Sequence, residues 1–389
     1  MTKLTTKFKD MEIYLVGGSV RDELLGRTPN DYDYVVVGET PQSMIDAGFV
    51  SVGKHFPVYL DEDGDEYALA RTEKSTGNGY CEFVFNVENV TLEQDLERRD
   101  LTINAIAKNL KTGEIIDPMG GTSDLADGIL RHCSDAFQED PIRLMRLCRF
   151  SAMFPDFNID NKTIELIKKM DSEGKFFDLD PQRVKREVHK TLLYKNSEMF
   201  FIVLHSLGLM STAHRLLEDH VMLLSYDTID LNCEDDGLTE DQIRMIKVSG
   251  LLSSVSIEYD EFMKFGNVFK KDHVKFAQRI NENIHIISTV EMIDELTNEE
   301  RLEYFYDYFV GTKMMNNTHY RLNKILLDKV FYFCHDVIEL FDKHWLMYLE
   351  ARKILASIDW DVIKKSRQGK NTIRDFKRNL IINKMKELV

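Results

Sequence analysis

Two aspartates that lie two positions apart are the first candidates for chemistry in this chain. Asp31 and Asp33 precede the apolar run Tyr34–Val37, which predicts a strand. Side chains at i and i+2 of a strand point to the same face, so the two carboxylates can converge on one point. Two carboxylates that close repel each other unless a cation lies between them. The spacing therefore predicts a metal site.

A pair of glycines, Gly17 and Gly18, follows the apolar run Ile13–Val16 and comes shortly before these aspartates. Glycine has no Cβ, so the backbone N–H groups of such a turn can approach a phosphate closely. A phosphate-binding turn beside a metal site suits nucleotidyl transfer. The alternative is an ordinary βαβ start whose aspartates are only solvated.

Arginines recur in two later segments. Arg98 and Arg99 precede Asp100, where they indicate either a charged helix surface or a guanidinium fork for a triphosphate. Further along, Asp140 and Pro141 suit the N-cap and first turn of a helix. That helix carries arginines at every third position, namely Arg143, Arg146 and Arg149. The stripe is either a solvated face or, as the apolar remainder of the helix favours, a site for an anionic ligand.

The predicted secondary structure that positions these residues changes along the chain, from mixed α and β to helices. Up to about residue 131 the pattern is mixed α and β, with strands predicted at Ile13–Val16, Tyr34–Val37, Val58–Leu60, Tyr67–Ala70 and Phe83–Asn86. From Asp140 onward the apolar residues recur at three and four, which predicts helices that include Gln182–Lys195, Met199–Leu207, Asp272–Asn281 and His344–Ala356. The predicted class is therefore α+β, with domains at residues 1–136, 137–205 and 206–389.

The acidic segment between two of the predicted strands, residues 61–65, contains Asp-Gly and predicts a hairpin turn. A calcium loop is the alternative, but helices rather than strands should flank such a loop.

Composition excludes several classes of protein. The formal net charge of −16 argues against a sequence-independent nucleic-acid coat, although residues 364–386 are strongly basic. The five cysteines are scattered without CxxC spacing, which predicts reduced thiols, no zinc site and a cytoplasmic setting. The first twelve residues contain no apolar core, so we expect no signal peptide. No apolar stretch approaches the roughly 20 residues that span a bilayer, so we expect no membrane partner.

Four motifs in this order resemble the class II tRNA nucleotidyltransferase and poly(A) polymerase family, most closely its bacterial CCA-adding enzymes. They are GGxVRD with DxD, RRDxTINA, DPxxG at Asp117–Gly121, and EDPxR. The resemblance covers residues 11 to about 195 and returns at Gly369–Arg374. It implies a polymerase-β-like nucleotidyltransferase head with a mixed sheet, followed by an all-helical neck, body and tail. It also implies addition of C, C and A to the 3′ end of tRNA from CTP and ATP, with Mg²⁺ and release of pyrophosphate.

The resemblance also implies roles for individual residues. Asp31 and Asp33 would hold two Mg²⁺ ions, and Glu66 matches a third carboxylate on a neighbouring strand. Gly18 and Arg21 match triphosphate-binding positions. Further nucleotide-contacting positions are matched by Arg99, Arg146 and Arg149. The basic tail would contact tRNA through Lys364, Lys365, Arg367, Lys370 and Arg374.

Asp140 and Arg143 match the pair that replaces a nucleic-acid template in this family. Cytosine and adenine both present an amino donor beside a ring-nitrogen acceptor, and an Asp acceptor beside an Arg donor satisfies both edges. Uracil and guanine present the reverse order and would leave buried groups unpaired, at a cost of roughly 1–3 kcal/mol each. Two side chains can therefore select C and A together.

Three segments bear on how far the resemblance extends. The polar segment Glu73–Tyr80 matches a mobile loop needed to change from C to A addition; an ordinary surface loop is the alternative. The helix-supporting motif, usually ERxxxE, begins here with Gln182. Ser249 and Gly250 stand where a phosphohydrolase domain would carry His and Asp, and we take the later pair His335–Asp336 as coincidence. We therefore expect no phosphohydrolase activity.

Alternatives to CCA addition are a poly(A) polymerase of the same family and a non-catalytic RNA-binding protein. The sequence leaves the oligomeric state open.

Overall fold

The structure is a computed structural model that describes residues 11–52, 58–75, 83–209, 237–252 and 263–278, with scattered positions from residue 297 onward. The chain divides into two compact units, Met1–Leu216 and Leu217–Val389. The predicted head and the whole of the predicted neck therefore fall in one unit. The three-domain division stays a prediction.

The first unit contains a mixed sheet. The strands of the described residues are β1 (Glu12–Val16), β2 (Asp33–Val37), β3 (Val50–Val52), β4 (Val58–Leu60), β5 (Glu66–Leu69), β6 (Thr72–Ser75), β7 (Phe83–Asn86), β8 (Ala107–Asn109), β9 (Ile115–Ile116), β10 (Ile129–Leu130) and β11 (Asn158–Ile159). Seven of them form one sheet in the order β3-β4-β5-β2-β1-β8-β9. β1 and β2 are antiparallel, whereas β2 and β5 are parallel. The strands β6 and β7 form a separate hairpin, and β10 pairs with β11.

Helices alternate with the strands of the first unit, and in the described residues after Arg143 they predominate. The α-helices of the first unit are α1 (Gly18–Leu24), α2 (Pro41–Asp46), α3 (Leu92–Glu97), α4 (Gly121–Asp127), α5 (Arg143–Met153), α6 (Asn161–Ser172), α7 (Pro181–Thr191) and α8 (Met199–Ser206). Short 3₁₀ helices occur at Thr102–Asn104 and Asp135–Glu139. The predicted α+β class, a mixed sheet followed by helices, is confirmed.

The core of the head forms where the alternating apolar residues of the central strands meet. Ile13 and Leu15 of β1 are buried beside Tyr34 of β2 and Tyr67 of β5. The two tyrosine rings stack with centroids 4.7 Å apart. Burial, assisted by nearby carboxylates that include Asp65, raises the pKa of Tyr34 to about 12, so its hydroxyl stays neutral. This packing holds β2 and β5 in register at the point where both strands begin.

Two glycines permit close contacts with the RRDxTINA segment. Gly17 has φ +73°, and a Cβ added there would lie 3.1 Å from Nη1 of Arg99. Gly121 begins α4, and a Cβ there would overlap the Thr102 carbonyl oxygen. The carboxylate of Asp117 accepts hydrogen bonds from the N–H groups of Gly121 and Thr122. The DPxxG motif therefore begins α4 and packs it against the RRDxTINA segment.

The structure corrects several local predictions. Strand β2 begins at Asp33, so Asp31 lies in the preceding connection. Helix α5 begins at Arg143 with Ile142 at its N-cap, whereas Asp140 ends a 3₁₀ turn; the Asp140 carboxylate accepts a long 3.4 Å bond from Ile142 N. Residues 73–75 of the predicted mobile loop belong to β6. The rest of that loop, residues 76–80, lies outside the described residues.

Short strands account for most of the remaining differences. β3, β6, β8, β9 and β10 were not predicted, since runs of two to four residues carry too little periodicity. β11 adds a two-residue strand to a region predicted to be helical. Residues 61–65 form the predicted turn between antiparallel β4 and β5, with Asp61 Oδ1 accepting from Asp63 N and Asp65 N.

The second unit is described only in part. Its helix α9 (Glu240–Leu251) begins with a capping box between Thr239 and Gln242. Ser249 and Gly250 lie buried on α9, where Ser249 Oγ donates to the Met245 carbonyl. Residues 271–278 are helical, as predicted. In the described residues no helix is long and apolar enough to cross a bilayer. The pair His335–Asp336 and the predicted tRNA-binding residues 364–374 lie outside the described residues.

Candidate active site

A cavity of about 490 Å³ opens in the first unit, where β2, β5 and the start of α5 meet. Its charged lining residues are four acids and six arginines. The acids are Asp33, Glu66, Asp100 and Asp140, and the arginines are Arg71, Arg98, Arg99, Arg143, Arg146 and Arg183. Both signs of charge thus meet in one cavity, which suits a ligand that combines a metal ion with phosphates.

Asp33 and Glu66 form the acidic part of the lining. They are directly paired in register across the parallel strands β2 and β5. Both residues are exposed, and neither side chain has a hydrogen bond or ion pair within the described residues. Carboxylate oxygens without a protein partner are suitable ligands for Mg²⁺. Asp31 is also exposed but is not part of the lining.

No group of three or more potential metal ligands is gathered among the residues that the structure describes. Asp31, Asp33 and Glu66 therefore do not form a closed cluster. The donor set at the cavity is the Asp33–Glu66 pair, and it fits a cation that takes further oxygen ligands from a nucleotide and water.

Asp95 of α3, which the sequence analysis did not predict, holds the side chains of Arg98 and Arg99. The buried carboxylate accepts from Arg98 Nη2 at 2.7 Å and from Arg99 Nη2 at 3.1 Å. Burial alone would raise the pKa of Asp95, but the Arg99 and Arg98 guanidinium groups hold it below its usual range. The signal in the sequence was its spacing, since residues three and four apart lie on the same face of a helix.

Asp100 and Arg146 form a second ion pair at the cavity. Arg146 Nε donates to Asp100 Oδ2 at 2.7 Å, and the other carboxylate oxygen accepts from Leu101 N and Asn104. Burial would raise the pKa of Asp100, but the Arg146 charge and these hydrogen bonds hold it well below its usual range. Arg146 reaches the cavity as predicted and is held there by a partner that is ionised near neutral pH.

The predicted base-selecting pair reaches the cavity, where the two side chains are bonded to other groups. Asp140 accepts two hydrogen bonds from Arg183 of α7, at 2.8 and 2.7 Å. Arg143 is buried and donates to the Ala136 carbonyl at 2.8 Å and to the Arg98 carbonyl at 2.6 Å. Arg183 was treated in the sequence only as part of a helix-supporting motif, and the structure makes it a residue of the cavity.

Arg149 does not line the cavity. Its Nε donates to Glu187 Oε2 of α7 at 2.6 Å, and its guanidinium lies 4.2 Å from the centroid of the Phe150 ring. The arginines at three-residue spacing therefore diverge, because 3.6 residues per turn move each one round the helix. The predicted basic stripe is divided between the cavity and a buried ion pair.

Arg21 and Gly18 are also absent from the cavity lining. Arg21 is buried, with Nη1 donating to Asn104 Oδ1 at 2.7 Å and Nε donating to Asp22 at 2.9 Å. Its guanidinium also lies 5.5 Å from the centroid of the Phe150 ring. These contacts connect α1 to the 3₁₀ turn and to α5, so Arg21 supports the elements around the cavity.

Of the predicted site residues, the structure therefore brings six to one cavity: Asp33, Glu66, Arg99, Asp140, Arg143 and Arg146. A mixed sheet with paired carboxylates at a strand start and ordered arginines in the same cavity is the arrangement that the sequence predicts for a nucleotidyltransferase head. The Poly A polymerase head domain family matches residues 13–131. Over these residues the chain resembles the head domain of that family.

Two curated relatives are similar to this chain over a longer stretch of sequence. The CCA-adding enzyme of Coxiella burnetii (strain RSA 331 / Henzerling II) is 49% identical over 203 residues, which are 52% of this chain and 54% of that protein. The Multifunctional CCA protein of Dechloromonas aromatica (strain RCB) is 50% identical over 203 residues, which are 52% of this chain and 49% of that protein. The chain spans about half the length of the curated relatives it matches.

Solved structures share the fold over almost the whole chain. The apo form II of a CCA-adding enzyme superposes with a TM-score of 0.70 at 20% identity, covering 97% of this chain and 88% of that one. The Thermotoga maritima CCA-adding enzyme complexed with tRNA superposes with a TM-score of 0.65 at 21% identity, covering 98% and 90%. At this identity the likeness shows the fold.

Proposed function

We propose that this chain adds C, C and A to the 3′ end of tRNA, using CTP and ATP and releasing pyrophosphate. The observation that carries the proposal is the cavity that joins the carboxylates of Asp33 and Glu66 to the residues Asp140 and Arg143. Its two parts meet the needs of template-independent synthesis, namely a place for metal-assisted transfer and a fixed pair of side chains for a base. The names of the curated relatives agree with it. The proposed setting is the cytoplasm.

Asp33 and Glu66 would hold Mg²⁺, with Asp31 as a further ligand from the adjacent connection. Bound magnesium would lower the pKa of the tRNA 3′-hydroxyl and neutralise charge on the triphosphate. Arg99 and Arg146 would bind the nucleotide from the opposite wall, where guanidinium forks match phosphate geometry. We assign Gly18 and Arg21 a supporting role, since Arg21 is committed to Asp22 and Asn104.

Asp140 and Arg143 would select the base. A carboxylate has about four lone-pair sites, so Asp140 can accept from the amino group of cytosine or adenine while bonded to Arg183. Arg143 would donate to the neighbouring ring nitrogen from a guanidinium that the Ala136 and Arg98 carbonyls hold in place. Uracil and guanine would set donor against donor and acceptor against acceptor.

A tRNA that lacks its 3′ end tests the proposal directly. With Mg²⁺ and CTP it should gain two nucleotides, and with CTP and ATP it should gain three and stop. Long runs of A on unrelated RNA would instead establish a poly(A) polymerase. RNA binding without incorporation would establish a non-catalytic protein. Asp33→Ala should abolish incorporation, whereas Asp156→Ala, at an exposed position outside the cavity, should retain it.

A further inference from the structure

The most densely bonded carboxylate beside the cavity belongs to Asp95. Its side chain is fully buried, although an unpaired buried carboxylate would be costly. Four hydrogen bonds offset that cost. They come from Arg98 Nε at 3.1 Å, Arg98 Nη2 at 2.7 Å, Arg99 Nη2 at 3.1 Å and Arg71 N at 3.2 Å.

These bonds hold both arginines in defined orientations. Oδ1 of Asp95 accepts from Arg98, while Oδ2 accepts from Arg99. One carboxylate therefore lies between two adjacent guanidinium groups. Arg98 Nε also donates to the Arg71 carbonyl at 2.8 Å. The backbone of Arg71, between β5 and β6, is thereby held at both its N–H and its carbonyl.

The bonding of the three Arg99 nitrogens indicates that this orientation serves a ligand. Its Nη2 is bonded to Asp95, and its Nη1 lies so close to Gly17 that a Cβ added there would be 3.1 Å away. Its Nε is buried without a hydrogen-bond partner in the described part of the chain. Buried donors are almost always satisfied in folded proteins. Arg99 also lines the cavity with its side chain 20% exposed, so its guanidinium is placed to bond an acceptor on a ligand.

We infer that Asp95 is the positioning residue that orients Arg98 and Arg99 for the nucleoside triphosphate. The inference rests on the proposed function. Asp95 itself lies outside the cavity lining, so it acts through the two arginines. It cancels one of their two charges, limits their mutual repulsion and turns Arg99 towards the cavity. Without it, both guanidinium groups keep their charge but lose their fixed directions.

The first experiment compares Asp95→Asn with Glu97→Gln. Both changes remove one negative charge from α3, but Glu97 is exposed and its side chain has no partner among the described residues. After incorporation by the wild-type chain has been established, Asp95→Asn should raise the KM for CTP and ATP at least about tenfold, with kcat within about threefold. Glu97→Gln should leave both parameters unchanged. A wild-type KM in a folded Asp95→Asn variant overturns the inference, and a wild-type chain without incorporation overturns the proposed function.

The second experiment asks whether Asp95 acts through Arg99. In an Arg99→Ala background, Asp95→Asn should add less than about a twofold further rise in KM, because residues that work as a unit are not additive. A full additional tenfold rise contradicts the inference.

Should Asp95→Asn fail to fold, Arg99→Lys tests orientation alone. Lysine keeps the positive charge but lacks the guanidinium fork. In that fork, Nη2 bonds Asp95 and Nη1 lies beside Gly17. The KM should rise as far as in Arg99→Ala, and a wild-type KM for Arg99→Lys overturns the inference.

Discussion

At the scale of single residues, four arginines of the site are oriented by the carboxylate to which each is bonded. Asp95 holds Arg98 and Arg99, Asp100 holds Arg146, and Asp140 holds Arg183. The net effect is a set of guanidinium groups whose directions are set before a nucleotide arrives, which lowers the ordering cost of binding.

Asp100 makes the stability of the head depend on pH. Its pKa in the folded protein lies below the ordinary value of about 4, so its contribution is complete above that value and is lost as the pH falls through and below it. Asp100→Asn should lower the free energy of unfolding by about 1–2 kcal/mol near neutral pH. The difference from the wild-type chain should shrink towards about pH 3, as measured by urea unfolding.

Asp156→Asn, at an exposed position, should show no comparable pH-dependent difference. A gap between the wild-type chain and Asp100→Asn that stays constant over the whole pH range would contradict the assigned role of Asp100.

Arg183 should affect which nucleotide is chosen. Arg183→Ala removes both hydrogen bonds that hold the Asp140 carboxylate, and the preference for C and A over U and G should fall about tenfold. Incorporation ratios from mixtures of the four nucleotides measure this. Arg186→Ala is the matched control, because Arg186 is exposed on the same helix. Equal slowing with all four nucleotides, at unchanged preference, would count against this role.

At the scale of elements, the turn between β1 and α1 connects backbone geometry to the site. Gly17 combines a positive φ with a close approach to Arg99. Gly17→Ala should cost about 1–2 kcal/mol of stability and should also raise the KM for CTP, because the added methyl group displaces Nη1. Gly26 has φ +70° but nothing within 4 Å of an added Cβ.

Gly26→Ala should therefore lose stability without a change in KM. Thermal unfolding and steady-state kinetics on both variants separate strain from contact, and identical kinetic effects would exclude the contact with Arg99.

The elements themselves were predictable where they carried periodicity. β1, β2 and β5 carry short apolar runs, and the burial of Met145 and Cys148 on α5 and of Ile167 and Met170 on α6 follows the helical repeat. Strands such as β10 and β11 form because their backbones pair with each other. A run of two residues is too short to show a periodicity that predicts such pairing. The end of α7 at Thr191, before the predicted Lys195, reflects the turn contacts that follow the helix.

At the scale of the whole molecule, the chain is acidic while its tail is basic. The proposed tRNA contacts at residues 364–374 predict that removal of residues 364–389 raises the KM for tRNA at least about tenfold. The salt dependence of tRNA binding should also weaken, because fewer counterions are released. The KM for CTP is the internal control and should not change. An unchanged tRNA affinity would assign tRNA binding to another surface.

The sequence by itself determined the class of the fold and most of the candidate residues. It did so because helical and strand periodicity are local and because motif spacing is read along the chain. Only the tertiary structure decided which residues share the cavity and which partner each charge takes. Arg183 and Asp140 lie 43 positions apart, and Arg149 and Glu187 lie 38 apart. Charges that far apart in sequence meet only where folded elements place them, so no local pattern could show that Arg183 enters the site while Arg149 leaves it.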